Sequence, residues 1–304
     1  MTCGVKAIKP IKITPAMIQG WSESGTPYDA SETGLVIGDE RVYNHRVYKV
    51  IAIPADGVQP DIGVTNSPPE WELIGSTNEY AMFDGIMNSQ TEQSETIQVV
   101  ITPGVPFGAV ALKDVDATDI NITVVDAADG EIVNVDIDMV SDIGINDHYE
   151  WWYSPQVYDR EAAVFDIIPY DTTTVTITIN NLGGTAKCGI CVLGEQIDLG
   201  QFVDDSGALG RSRNSVVDPD AWGGITPVKR AFNIDLNGTI VFEQGQFDPI
   251  FRFFSQVDAT PVMWSIVYEL YKTTLVYGYL AESPQPISNT PSADIAIKGI
   301  AENG

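Results

Sequence analysis

Tyr43, Tyr48 and Trp71 are the residues whose type and spacing most readily serve recognition chemistry. The apolar face of a pyranose ring stacks on an aromatic plane, and polar neighbours then bond its hydroxyls. All three fall in a stretch that opens Gly38-Asp39-Glu40-Arg41-Val42-Tyr43-Asn44-His45-Arg46-Val47-Tyr48 and runs through Gln59-Pro60-Asp61 to Pro68-Pro69-Glu70-Trp71. They are the candidate glycan planes. The same aromatics also read as the core of a mini-domain short of aliphatic residues, because a unit this small needs aromatic bulk. Glu150-Trp151-Trp152-Tyr153 is a second aromatic patch, read as a subunit contact or as core packing in a strand, with sugar stacking as its other use.

Bond-making chemistry finds less support. Cys188-Gly189-Ile190-Cys191 has C-x-x-C spacing, but redox use needs the first cysteine at a helix N-terminus, and both flanks here read as strand. On a strand, positions i and i+3 face opposite ways, so the two sulfurs are expected to diverge, each a small buried hydrophobe at most. Zinc would draw on Cys3, His45 and His148, whose spacing does not support a site. Asp114, Asp116 and Asp119, then Asp126 and Asp129, miss the calcium-loop pattern and read as solvated loop charge. No Gly-x-Ser-x-Gly elbow accompanies the two histidines. The expectation is a non-enzymatic protein with no catalytic residue, no metal and no cofactor.

The stretch at about 28–79 resembles the small chitin-binding and cellulose-binding modules attached to bacterial chitinases and cellulases. Those modules use a Gly-Asp turn, a valine-tyrosine strand, a second tyrosine five residues on and a closing tryptophan. Gly38-Asp39, Val42, Tyr43, Tyr48 and Trp71 sit at the matching places, while Leu35, Val36 and Ile37 stand where another aromatic platform is usual. Downstream, Trp71-Glu72-Leu73-Ile74-Gly75-Ser76-Thr77-Asn78-Glu79-Tyr80-Ala81-Met82-Phe83-Asp84-Gly85 is similar to a junction in tail proteins of siphovirus-like phages. Gly183-Gly184-Thr185-Ala186-Lys187-Cys188-Gly189, Lys229-Arg230-Ala231-Phe232, Thr260-Pro261-Val262-Met263-Trp264 and Leu275-Val276-Tyr277-Gly278 extend the likeness. The resemblance implies a structural component of a bacteriophage virion in the distal tail, baseplate or fibre region. Its implied partners are other tail proteins and further copies of itself in a homo-oligomer, with a host-surface glycan as ligand.

Strands must position these residues. Ile97, Val99 and Ile101, then Ile120, Ile122 and Val124, then Val133, Val135, Ile137 and Met139 alternate at a period of two. Asp129-Gly130 reads as a hairpin turn, Thr174 to Ile179 as another strand, and Asn181, Gly183 and Gly184 as the turn that ends it. These predict a β-sandwich over 93–205, jelly-roll-like if strands cross between sheets. An exposed connection from Asp204 to Gly224 leads to a third unit, 206–304. There Phe232, Ile234 and Leu236 alternate, and Phe247, Ile250, Phe251 and Phe254 mark one helix, with Asp248 as N-cap and Pro249 at N1. Strands Val262 to Leu270, Thr273 to Leu280 and Asp294 to Ile300 complete a sheet covered by that helix. The predicted fold is mainly β: the module within 1–92, the sandwich, and the C-terminal sheet with one helix.

The 304 residues carry 16 Lys and Arg against 42 Asp and Glu, a formal charge of -26 that repels nucleic acid and anionic membranes. No apolar run is long enough to span a bilayer and the first twenty residues carry no signal-like core, so no membrane insertion or secretion is expected. Three cysteines suit synthesis in a reduced host cytoplasm, ahead of a place in the virion. Two rival readings stand beside the tail protein: a free carbohydrate-binding protein, and a virion glycosidase using a carboxylate pair.

Overall fold

The computed structural model describes residues 4–54, 57–141, 147–153, 157–203, 206–218, 222, 224–268, 270–285 and 291–300; the side chains of Glu150, Trp151 and Arg213 lie outside that description, as does Cys3. The architecture is mainly β, built from antiparallel sheets, with one long helix near the C-terminus. Strand β1 (Gly4–Pro10) precedes a separate three-stranded sheet of β2 (Glu40–Tyr43), β3 (Arg46–Val50) and β4 (Trp71–Ser76), with a single helical turn, α1 (Pro60–Gly63), between the last two. Asn44 and His45 link β2 to β3 with φ of 50° and 65°, the two left-handed residues that a tight hairpin with native twist requires.

The sandwich follows as β5 (Thr91–Ile101), β6 (Ala109–Asp116), β7 (Asp119–Asp126), β8 (Gly130–Asp138), the short β9 (Val140–Ser141), helix α2 (His148–Tyr153), the short β10 (Val157–Tyr158), β11 (Glu161–Val164) and β12 (Thr173–Phe202). At 30 residues, β12 serves both layers. Its first part lies between β5 and β7, with β8 beyond; its middle pairs with β6, which pairs with β11. The turn expected at Asn181 to Gly184 is instead a bulge. Pairing jumps from Asn180–Thr96 to Thr185–Ser94, so these four residues oppose Glu95 alone and the strand continues. Such an insertion bends a strand, and a bent strand can pass from one layer to the other. Ile120, Ile122, Val175 and Ile177 of one layer and Val110, Leu112 and Leu193 of the other bury together between them.

The C-terminal part contains β13 (Ala208–Arg213), β14 (Phe232–Val241), α3 (Phe247–Gln256), β15 (Val262–Ser265), β16 (Leu275–Glu282) and β17 (Ser292–Gly299). The expected sheet under one helix closes on itself. The last part of β12 pairs with β1, β1 with β15, then β16, β17 and β14, and β14 returns to β12 at Gln201 and Phe202. This ring of six strands has no free edge along its circumference. Its hydrogen bonds cross the expected borders at 92/93 and 205/206, since β1 and β12 are both members. Val5, Ala7, Leu199, Trp264, Val276 and Ile295 bury in one cluster with Ile250, Phe253 and Phe254 of α3. Closure brings backbones together: a Cβ on Gly278, paired with Gly299, would lie 2.3 Å from the Lys298 carbonyl oxygen.

Helix α3 starts earlier than expected. Glu243, not Asp248, supplies the capping box, with Gln246 reaching back to it through a short 3-10 turn. The inward stripe is Ile250, Phe253 and Phe254, while Phe251 is exposed. Strand β15 ends at Ser265, short of Leu270. Among the described residues, no helix is long and apolar enough to cross a membrane.

Candidate functional site

The module turns its aromatics inward. Tyr48 is 4% exposed and Trp71 1%, and with Val50 they form a small core against which Tyr28, Leu35, Tyr43 and Val64 pack. Tyr28 stands edge-on to both Tyr43 and Trp71, with ring centres 5.7 and 6.0 Å apart, and donates its hydroxyl hydrogen to the Val58 carbonyl at 2.9 Å. The Trp71 ring lies so close to Gly63 that a Cβ there would approach it to 2.2 Å. Trp71 therefore keeps no open face for a sugar, Tyr48 is nearly buried although it borders the cleft described below, and Tyr43 keeps part of a face. The Trp71 indole N–H has no hydrogen-bond partner among the described residues.

A polar and aromatic clamp joins module to body around His45. Its Nδ1 lies 2.9 Å from Glu23 Oε1, which also accepts from the Thr77 hydroxyl at 2.8 Å, and the Thr77 N–H donates to the His45 carbonyl at 3.0 Å. The imidazole leans on Tyr80, ring centres 4.6 Å apart, and Trp21 stands edge-on to both. Beside this clamp opens a cleft of about 830 Å³ whose wall is shared by the module, the segment 81–85, β12 and the barrel. Lys12, His45, Arg46, Tyr80, Asp84 and Tyr277 line it. Asp84 accepts from the Ser76 and Ser89 hydroxyls and from the Ile86 N–H, each at 2.6 Å. Burial raises the Tyr80 phenol and pushes Tyr277 up to about 12, so both stay protonated as donors. No signal in the sequence joined these residues, because four separate parts of the chain supply them.

Two other regions turn apolar groups outward. The aromatic patch expected on a strand or as a subunit contact lies on helix α2, where Tyr149, Trp152 and Tyr153 follow at i, i+3 and i+4 and are each at least 70% exposed. Tyr149 and Tyr153 stack with ring centres 4.6 Å apart. The second region is the β13–β14 hairpin, which continues past the ring of strands. Val216 and Val228 exchange both backbone hydrogen bonds, and no described residue from Gly207 to Arg230 is buried. Leu209, Val216, Val217, Ile225 and Val228 are exposed along this arm, and Trp222 near its end is 94% exposed. The arm also carries Arg211, Arg213, Lys229 and Arg230 against Asp218 and Asp220, a basic segment in an acidic chain.

Cys188 and Cys191 do not diverge as a regular strand would require. Both lie in the core between the sandwich layers. The alternation slips at Gly189, which faces Asp114, a residue held at φ 55°. Burial raises the Cys188 thiol and pushes Cys191 up to about 12, so both rest as thiols packed in the core. Among the described residues, no group of three or more His, Cys, Asp or Glu is placed to hold a metal ion. Asp126 is a turn residue: its carboxylate accepts from the Thr172 hydroxyl and from the Ala128 and Asp129 N–H groups, which hold it below the usual carboxylate range. Comparison of the chain with protein-family models, with curated proteins and with solved structures finds no match.

Proposed function

We propose that the chain is a structural, non-enzymatic component of a tailed-bacteriophage virion, in the distal tail, baseplate or fibre region, where it assembles with further copies of itself and with other tail proteins. The observation that carries this reading is the exposed arm. A hairpin that leaves six large apolar side chains in water loses that burial in the monomer and regains it against a neighbour. Its basic residues suit the acidic surface of a second copy, since the rest of the chain holds 40 of the 42 acids against 12 of the 16 bases. The outward aromatic face of α2 offers a second contact. The resemblance of the junction at 71–85 to tail proteins supplies the virion setting. Contact with a host-surface glycan belongs to the same reading.

Gold-labelled antibody against the chain, applied to purified tailed particles, tests this reading. Label at the tail end is the expected result. Unlabelled particles, together with a free protein that stays monodisperse, would overturn it and favour a free carbohydrate-binding protein.

A further inference from the structure

We propose that the cleft between the module and the body binds an anionic saccharide, its carboxylate or phosphate group held by Arg46 and Lys12 and its ring laid against Tyr80. The argument begins with charge. In a chain with 42 acids and 16 bases, cations are readily neutralised, and most that bear on the fold are: Lys6 pairs with Asp166, Arg41 with Glu32, Lys113 with Glu161, Lys187 with Glu92 and Lys272 with Asp159. Arg46 and Lys12 are exceptions. Both are exposed, both line the same cleft, and neither side chain makes a hydrogen bond or ion pair among the described residues. Two uncommitted cations on one concave wall meet an anion brought from outside, and the guanidinium fork suits a carboxylate or a phosphate equally well.

The remaining wall suits the rest of a sugar. Tyr80, backed by His45, gives a half-buried ring on the cleft side, and the protonated Tyr277 hydroxyl is a donor beside it. Asp61 and Asp84 share the wall. Asp84 is already held by three donors and Asp61 by the Ile62 N–H, so both are fixed acceptors for saccharide hydroxyls. The module thus contributes to sugar binding through its lower edge, at Asn44 to Arg46, rather than through the buried planes of Tyr48 and Trp71.

Titration calorimetry on the full chain tests this with three probes: tetragalacturonate, a glycerol phosphate oligomer and neutral cellotetraose. The expected result is saturable binding of one or both anionic probes, weakened about tenfold or more by Arg46→Gln or Lys12→Gln and by raised salt, with Lys49→Gln on the same strand unchanged. Which anionic probe binds assigns the source as a uronate or a phosphate polymer. No saturable binding, cellotetraose bound as tightly as the acids, or full affinity in both cleft variants would overturn the proposal. Trp222→Ala on the arm leaves this binding intact, so the fate of the cleft and the fate of the assembly reading are seen separately.

Discussion

The aromatic residues of the module and those of α2 and the arm share a chemistry and have opposite placements. In the module, Tyr48 and Trp71 are buried because a sheet of three short strands offers little else to bury. In α2 and the arm, Tyr149, Trp152 and Trp222 lie in water although the molecule has two large cores nearby. Where the core is poor, aromatics are structural; where aliphatic cores are rich, aromatics can stand outside them, exposed to solvent. An aromatic motif alone does not say which case applies.

The largest expected effects set these two regions against each other. Trp71→Ala should cost about 3–5 kcal/mol in thermal or denaturant unfolding, whereas Trp222→Ala should fall within about 0.5 kcal/mol of the parent. A costly Trp222 and a neutral Trp71 would reverse the comparison. Lys113 extends it to the body: its ammonium is buried and donates to the Leu275 carbonyl at 2.7 Å and to Glu161 at 3.3 Å, tying sandwich to barrel. Lys113→Ala strands that carboxylate and should cost about 3–5 kcal/mol, with Lys113→Met milder.

A middle-sized effect separates the two buried tryptophans. The Trp264 indole donates to the Gly278 carbonyl at 3.1 Å, while that of Trp71 is unpaired. Trp264→Phe orphans an acceptor and Trp71→Phe removes an orphan donor, so the barrel variant should be the more destabilised, by on the order of 1 kcal/mol. Equal losses would mean that the Trp71 N–H finds a partner. Gly63→Ala, which drives a methyl into Trp71, should cost about 1–3 kcal/mol and report on how closely the module is packed.

The smallest effect is pH dependence. Hydrogen bonds from Arg41 lower Glu32 in the module, and those from Thr172 and two backbone N–H groups lower Asp126 in the sandwich. Their folded-state values lie below the unfolded ones, so the unfolded chain takes up protons first as pH falls. The stabilisation is complete above about pH 4–4.5 and is lost as pH drops through the folded values. The acid limb of a melting-temperature curve should be shallower in Asp126→Asn, and an unchanged limb would count against the turn role.

Much of the fold was legible where one face of a strand is wet. Strands β5, β7, β8 and β14 alternate because each has a core side and a solvent side. Strand β6 showed no period because Val110 and Leu112 face one core and Ala109 and Ala111 another. The ring of strands was hidden since β1 and β17 lie at opposite ends of the chain. For the candidate site, the sequence located the module and its aromatics, but burial of Tyr48 and Trp71 depends on Tyr28, Gly63 and Val64, which no motif marks. The helix α2 was legible in the spacing of Tyr149, Trp152 and Tyr153, a helical period that reading the patch as a subunit contact or strand core passed over. Nothing local announced the cleft.

Assembly through the exposed arm is what the proposed function rests on. Sedimentation velocity of the full chain over a range of concentrations, with and without Trp222→Ala and Ile225→Ser, tests it most directly. Larger species that grow with concentration in the parent and are lost in the double variant at unchanged melting temperature are the expected result. A parent that sediments as a monomer throughout, or oligomers that persist unchanged in the variant, would contradict it.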